Sequence, residues 1–270
     1  MDYILPETSL IQIKTLEKMD NNGIFVIEPL SPGYGLTLGN SIRRILLSSL
    51  EGAAITSVKI EGVTHEFSAI PGVSEDVVEV ILNLKTLRFK LQGDEPVIMK
   101  LNVKGPKEVT SSDFEPNASC EVVNKDVFIA SVGKSGKLGM EITVEKGRGY
   151  VPVERRREEK LPLGTIAVDS IFTPVRKVHY EIEHTRVGQM TNFDKLTLEI
   201  ATDGSIEPEV ALGKAAGILV QHLDLVQKAF ETPVKAEVAD KPAKKTAKKA
   251  DVKAEVAPKT AKKTVKKAKK

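Results

Sequence analysis

Several groups of residues in this 270-residue chain have types and spacings that could do chemistry. Residues 132–138, VGKSGKL, carry the glycine, lysine and serine of a phosphate-binding loop. Such a loop needs a glycine five positions before Gly133, where Phe128 stands, and a helix after it, where LGMEITVEKG alternates like a strand. The stretch is therefore expected to be a β-turn. His179 and His184 lie five apart on a predicted strand and so project to opposite faces, while His65 and His222 stand alone. Nothing at metal-ligand spacing accompanies them. Glu181 and Glu183 share a strand face and read as solvated. With no nucleophile elbow and no activated-cysteine arrangement, the expectation is a chain with no catalytic residue, no cofactor and no metal of its own.

The basic residues are the remaining candidates. Arg43 and Arg44 are adjacent on a predicted helix, where consecutive side chains point about 100° apart. Both cannot enter one core, so at least one is left for solvent or for bidentate contact with a partner's carboxylates; a solvated helix face is the plain alternative. Residues 146–152, KGRGYVP, place Arg148 between two glycines ahead of Tyr150, which describes either a turn or a weak nucleic-acid signal. The third group is a run of lysines at the C-terminus.

The elements that must position these residues follow from periodicity. Residues 10–16 and 23–30 are apolar and β-branched runs separated by Asp20-Asn21-Asn22, a hairpin pattern. After the break at Ser31-Pro32-Gly33, Leu38, Ile42 and Ile45 recur at helical spacing with Leu46 and Leu50 beside them. Gly39 and Asn40 interrupt that stripe where alanine would favour helix by roughly 1 kcal/mol, which suggests a close approach to the backbone. Gly52 is expected to close the helix. Beyond it Thr56, Val58 and Ile60 alternate with Ser57, Lys59 and Glu61, a half-buried strand. Ser74 is placed to cap a helix carrying Val77, Ile81 and Leu84, with Glu75 and Asp76 in its first turn. Strands follow at residues 97–103, 127–130 and 140–146, then at 175–183 and 195–201, with a turn at Asp203-Gly204. A second long helix opens with Pro208 and repeats Leu212, Ala216, Leu219, Leu223, Val226 and Phe230 at steps of four and three. A seam of that period wants a helix along it: either the first helix of the same chain or helices of a second copy.

Composition limits the setting. One cysteine, Cys120, leaves no intramolecular disulfide and fits a reducing compartment. The start MDYILPETSL lacks the features of a secretory signal, and no apolar run nears the ~18 residues of a membrane span. A cytoplasmic protein is expected. The formal charge of +3 conceals an asymmetry. Residues 231–270 hold 14 Lys against 5 acids, a net of +9, and residues 1–230 hold 26 basic and 32 acidic residues, a net of −6. The near-repeats KPAKKTAKKA and PKTAKKTVKKAKK, broken by Pro233, Pro242 and Pro258, predict a disordered basic tail. In it Lys244, Lys245, Lys248, Lys249, Lys262, Lys263, Lys266 and Lys267 could meet nucleic-acid phosphates without reading sequence.

Taken in order, five stretches resemble the alpha subunits of bacterial-type DNA-directed RNA polymerase: EPLSPGYGLTLGNSIRRILLSSLEG (28–52), IEGVTHEFSAIPGVSEDVVEVILNLK (60–85), EKGRGYVPVE (145–154), VDSIFTPVRKVHYEIEHTRVGQMTNFDKLTLEI (168–200) and DGSIEPEVAL (203–212). The resemblance implies an α+β fold. Residues 1–51 and 170–230 would form a dimerisation subdomain with a helix pair on a sheet, residues 52–169 an inserted β-rich subdomain, and 231–270 the tail. It implies a homodimer whose core includes Leu38, Ile42, Ile45, Leu46, Leu212, Ala216, Leu219, Leu223, Val226 and Phe230. It implies a non-catalytic scaffold on which the beta and beta-prime subunits assemble, with the catalytic metal in those partners. The beta contact carries over to Arg43 and Arg44, and then to His65, Arg148, Gly149 and Tyr150; the beta-prime contact carries over to residues 174–191. The resemblance breaks after residue 230, where family members continue into a small DNA-binding helical domain and this chain has the lysine tail. A free-standing nucleoid or DNA-binding protein working through that tail is the competing reading.

Overall fold

The computed structural model describes residues 11–156 and 162–231. In chain order the elements are β1 (Gln12–Met19), β2 (Asn22–Leu30), α1 (Tyr34–Ser48), β3 (Glu51–Ile60), α2 (Val77–Leu84), β4 (Phe89–Leu91), β5 (Val97–Lys104), β6 (Lys107–Thr110), β7 (Cys120–Val122), β8 (Phe128–Val132), β9 (Lys137–Arg148), β10 (Tyr150–Val151), β11 (Thr165–Ala167), β12 (Ser170–Ile171), β13 (Val175–Val187), β14 (Met190–Thr202) and α3 (Pro208–Glu231). The chain divides into a body, Met1–Ala229, and a terminal unit, Phe230–Lys270. The body is α+β and holds two separate apolar cores.

The first core belongs to an antiparallel four-stranded sheet of order β1-β2-β14-β13, assembled from the two ends of the body. Phe25, Ile27, Leu196, Leu198 and Ile200 face Ile42 and Leu46 of α1 and Ala211 and Ala215 of α3. The helix lies close to the sheet because two glycines line its inner face. A Cβ on Gly39 would stand 2.9 Å from the Tyr180 ring and 3.0 Å from Leu196, so the interruption of the apolar stripe is the contact itself.

The second core fills a β-rich body of residues 51–168, built on a sheet of order β5-β9-β3-β4-β7 with β11 added on β3 and α2 packed beneath. Along β5, Met99, Leu101 and Val103 are buried and Ile98, Lys100, Asn102 and Lys104 are exposed, as the alternation requires. Elsewhere the sequence pattern is overridden. Gly52 does not end the helix; α1 stops at Ser48, and Gly52 lies in β3 because a side chain there would collide with the Phe172 carbonyl oxygen. The expected alternation holds for Val58 and Ile60 against Lys59 and Glu61 but not at Thr56 and Ser57. A bulge between Ile55 and Ser57 sends Ile55, Val58 and Ile60 into the core and buries residues 54–58 on both faces. Helix α2 is capped by Asp76, whose carboxylate accepts from the Glu79 N–H at 2.8 Å, and not by Ser74. Asp76 is the residue directly before the first helical one, the position from which a side chain reaches the free N–H groups.

Candidate docking interface

Residues 132–138 form the expected turn between β8 and β9, closed by the Gly136 N–H on the Gly133 carbonyl at 3.0 Å. His179 and His184 lie on opposite faces of β13, both exposed. Among the described residues no three or more potential ligands gather for a metal ion, and no helix is long and apolar enough to cross a membrane.

The arginine pair has a defined setting. Gly33, at φ 87°, precedes α1 and has no side chain to cap it. Its place is taken by a residue some 160 positions away: Asp194 of β14, 5% exposed, whose Oδ2 accepts from the Gly33 N–H at 2.8 Å and the Gly35 N–H at 3.1 Å. With the inner face fixed by this cap and by Gly39, Tyr34, Leu36, Arg43 and Arg44 are left exposed around the rest of the helix. Neither arginine takes part in any ion pair found among the described residues. Asp194→Ala leaves two helix N–H groups without acceptors, at an expected cost on the order of 2 kcal/mol. A melting temperature lower by roughly 4–8 °C, with faster amide exchange at Gly33 and Gly35, is the check.

The KGRGYVP stretch abuts the far end of the same helix. Arg148 is the cross-strand neighbour of Glu51, and the two side chains pair, with Nε 3.1 Å from Oε1. Gly149, at φ 65°, turns the chain where a Cβ would lie 3.5 Å from the Ser48 carbonyl oxygen, and its own carbonyl accepts from the Phe172 N–H. Tyr150 then pairs with Ile171 across β10 and β12, and both side chains are about half exposed. Partial desolvation and the nearby Asp169 carboxylate push the Tyr150 hydroxyl above its ordinary range. Asp169 is held below the usual carboxylate range chiefly by the Val153 N–H at 2.9 Å and by Lys85 at 3.2 Å, against the effect of burial. Thus Arg44, Ser48, Gly149, Tyr150 and Ile171 lie along one edge. A cleft of about 350 Å³ beside it is lined by Ser49, Leu50, Glu51 and Arg148 together with α3 residues Lys214, Gly217, Ile218 and Gln221.

His65 is not part of this edge. It follows the other end of β3, a strand about 30 Å long at the usual rise, in an exposed loop beside Phe67, which is 81% exposed. Residues 174–191 are mainly β13 and its turn, with Lys177–Glu199 and Glu183–Lys195 pairs on the outer face.

The long helix packs differently from either expectation. Its own chain buries Ala211 and Ala215, with Leu212, Ile218 and Leu219 only partly covered. The internal face is therefore rotated one residue, about 100°, from the predicted seam, and Ala216 is exposed. From Val220 through Phe230 every residue is exposed, including Leu223 at 58%, Val226 at 56% and Phe230 at 85%. Of that seam, Leu212 packs against the core that holds Ile42 and Leu46 of α1, and from Leu223 on the seam packs on nothing in the described residues of its own chain. On α1, Ile42 and Leu46 are enclosed in their own core, leaving Leu38 and Ile45, half-buried, with surface for a partner. The tail lysines, Lys244, Lys245, Lys248, Lys249, Lys262, Lys263, Lys266 and Lys267, lie outside the described residues.

The described residues thus form a body of two apolar cores with an exposed arginine pair on α1 and a half-helix of uncovered apolar side chains at the end of α3, an α+β body of two subdomain cores. Residues 58–173 match the RNA polymerase Rpb3/RpoA insert domain. The chain is 54% identical over 219 residues to the DNA-directed RNA polymerase subunit alpha of Symbiobacterium thermophilum, covering 81% of this chain and 70% of that one. To its counterpart in Carboxydothermus hydrogenoformans it is 55% identical over 214 residues, or 79% and 68% of the two chains. This chain belongs to the family of DNA-directed RNA polymerase alpha subunits.

Proposed function

We propose that this chain is a non-catalytic scaffold subunit of DNA-directed RNA polymerase, acting as a homodimer on which the beta and beta-prime subunits assemble. The observation that carries the reading is the second half of α3. A helix that leaves its own core with Leu223 and Val226 more than half exposed needs a second apolar surface, and an identical helix in a second copy supplies one with the same period. In this reading residues 1–51 and 170–230 are the dimerisation part and 52–169 the insert. Arg43, Arg44 and the Arg148-Gly149-Tyr150 turn form one beta-subunit contact, with His65 a second and separate one. Residues 174–191 face beta-prime. Nucleotidyl transfer and its metal belong to the large subunits, the assembly is cytoplasmic, and this chain needs no cofactor. The tail lysines add phosphate contacts that do not read sequence. Relatives more than half identical, each a polymerase subunit alpha, weigh against a free-standing nucleoid protein.

The test is co-expression of both large subunits with the full chain or with residues 1–230. Both forms are expected to assemble. The assembly lacking the tail binds duplex DNA more weakly, its log K against log salt slope shallower by about 0.9 per lost phosphate contact. Failure of both forms to assemble overturns the scaffold reading. Failure of the truncated form alone assigns the tail a structural role.

A further inference from the structure

We infer that Arg88 and Asp203 form a strut that fixes the angle between the two cores of the body, and thereby positions the Arg43–Arg44 edge of α1 relative to the docking residues of the insert. The inference rests on the docking reading above. Arg88 lies between α2 and β4 at the margin of the insert core; Asp203 follows β14 at the margin of the helix-covered sheet. Arg88 Nε stands 3.2 Å from Asp203 Oδ2, and with side-chain exposures of 18% and 5% this is the most enclosed ion pair among the described residues.

Each end is anchored on its own side. Arg88 Nη1 donates to the Lys85 carbonyl at 2.9 Å and the Leu87 carbonyl at 2.8 Å, and its backbone N–H donates to Asn124 Oδ1 at 2.7 Å. Asp203 Oδ1 accepts from the Ser205 N–H and hydroxyl, while the Asp203 N–H donates to the Pro174 carbonyl at 3.0 Å. The guanidinium is held by the end of α2 and the carboxylate by the turn after β14, so the pair transmits a fixed geometry between them.

The rest of the junction is packed in one place, where Phe172, 2% exposed, lies against Gly52 and Gly147 and Thr173 Oγ1 donates to the Leu47 carbonyl at 3.3 Å. The two cores share no buried residue. The chain passes between them near residues 49–52 and 168–175, where Gly52 fits beneath the Phe172 carbonyl. A cleft of about 210 Å³ opens there, lined by Gly52, Phe89, Lys90, Pro174, Ile206 and Lys214 among others. Two cores joined over one narrow packed contact beside a cleft pivot about that contact unless a second, directional one holds them. A buried ion pair adds little net stability; here, anchored at both ends, it supplies that second contact. The docking edge straddles this junction: Arg43 and Arg44 ride on one core, Arg148 and Tyr150 on strands continuous with the other.

The experiment compares full-length Arg88→Met, Asp203→Asn and the double variant. One measurement is affinity for purified beta subunit. The other is the distance distribution between nitroxides at exposed Asn40 on α1 and Lys104 on β5, with labelled chains diluted into unlabelled ones. Each single variant is expected to broaden the distribution and to weaken binding by about 2- to 30-fold, the range for residues that transmit coupling without touching the ligand. The double variant should be no worse than either single one, because the pair acts as a unit. Unchanged distances, or losses that simply add, overturn the strut. Arg43→Glu/Arg44→Glu serves as the control. Loss of binding in the control with normal binding in Arg88→Met overturns the strut alone. Normal binding in the control overturns the docking reading, and the distance distribution then decides the strut by itself.

Discussion

Leu223→Glu/Val226→Glu converts the chain from a dimer to a folded monomer. Both side chains are more than half exposed in the single chain and lie outside both cores, so the substitutions remove no core contact. In a dimer they would place four carboxylates in one apolar seam, each costing several kcal/mol unless it found a partner or a proton. Two or three such penalties weaken association by more than about 10³-fold. Sedimentation at micromolar concentration should show a single species of half the wild-type mass, with the far-ultraviolet circular dichroism of the body retained apart from fraying of α3. A dimer of undiminished affinity would mean that the uncovered half of α3 serves some other surface.

Much of this architecture is legible from periodicity, and the exceptions share a cause. Along β5 alternation suffices, and the turn residues suffice for the β1–β2 hairpin, although every residue of β1 is exposed. The glycine at position 39 is also readable, because an expensive residue inside an apolar stripe implies a close neighbour, although Tyr180 could not be named from it. The failures occur where two distant segments meet. Gly52 looks like a helix stop only until Phe172 is known to cross it. The bulge in β3 answers to its pairing with β9, some 90 residues on, and it changes which of Ile55 and Thr56 faces the core. The seam of α3 is real as a pattern, yet the chain's own packing uses the adjacent face through Ala211 and Ala215, small residues that a search for large apolar ones passes over.

The docking edge is divided in the same way. Arg43 and Arg44 stand out because adjacent cations on an amphipathic helix cannot both be buried. Asp194, which caps that helix, looks like an ordinary strand residue beside Phe193. Ile171 and Asp169 become part of the Tyr150 patch only through a two-residue strand pairing. Phe67, nearly bare beside His65, could have been questioned from sequence as an aromatic in a polar loop. Arg88 and Asp203 carry no local signal at all, since each end of the strut is unremarkable without the other.

Arg43→Glu/Arg44→Glu leaves the dimer intact and abolishes capture of the large subunits. Both arginines are exposed and neither is in an ion pair among the described residues, so the internal cost is that of moving negative charge toward the C-terminal half of α1, roughly 0.3–1 kcal/mol. At a docking surface each reversal replaces an attraction by a repulsion, and close interfacial charge pairs couple by about 1.5–7 kcal/mol. Capture should therefore fall by more than about 100-fold. The single variants separate the two positions. Arg44 stands one turn before Ser48, whose carbonyl lies beside Gly149, so Arg44 shares the edge that continues into Tyr150 and Ile171, while Arg43 points about 100° away. Arg44→Glu is expected to account for most of the loss. Lysine at both positions keeps the charge but not the planar fork. An intermediate affinity for that variant, read by titration with beta subunit, would show that a bidentate carboxylate contact is made; wild-type affinity would reduce the role of the pair to net charge.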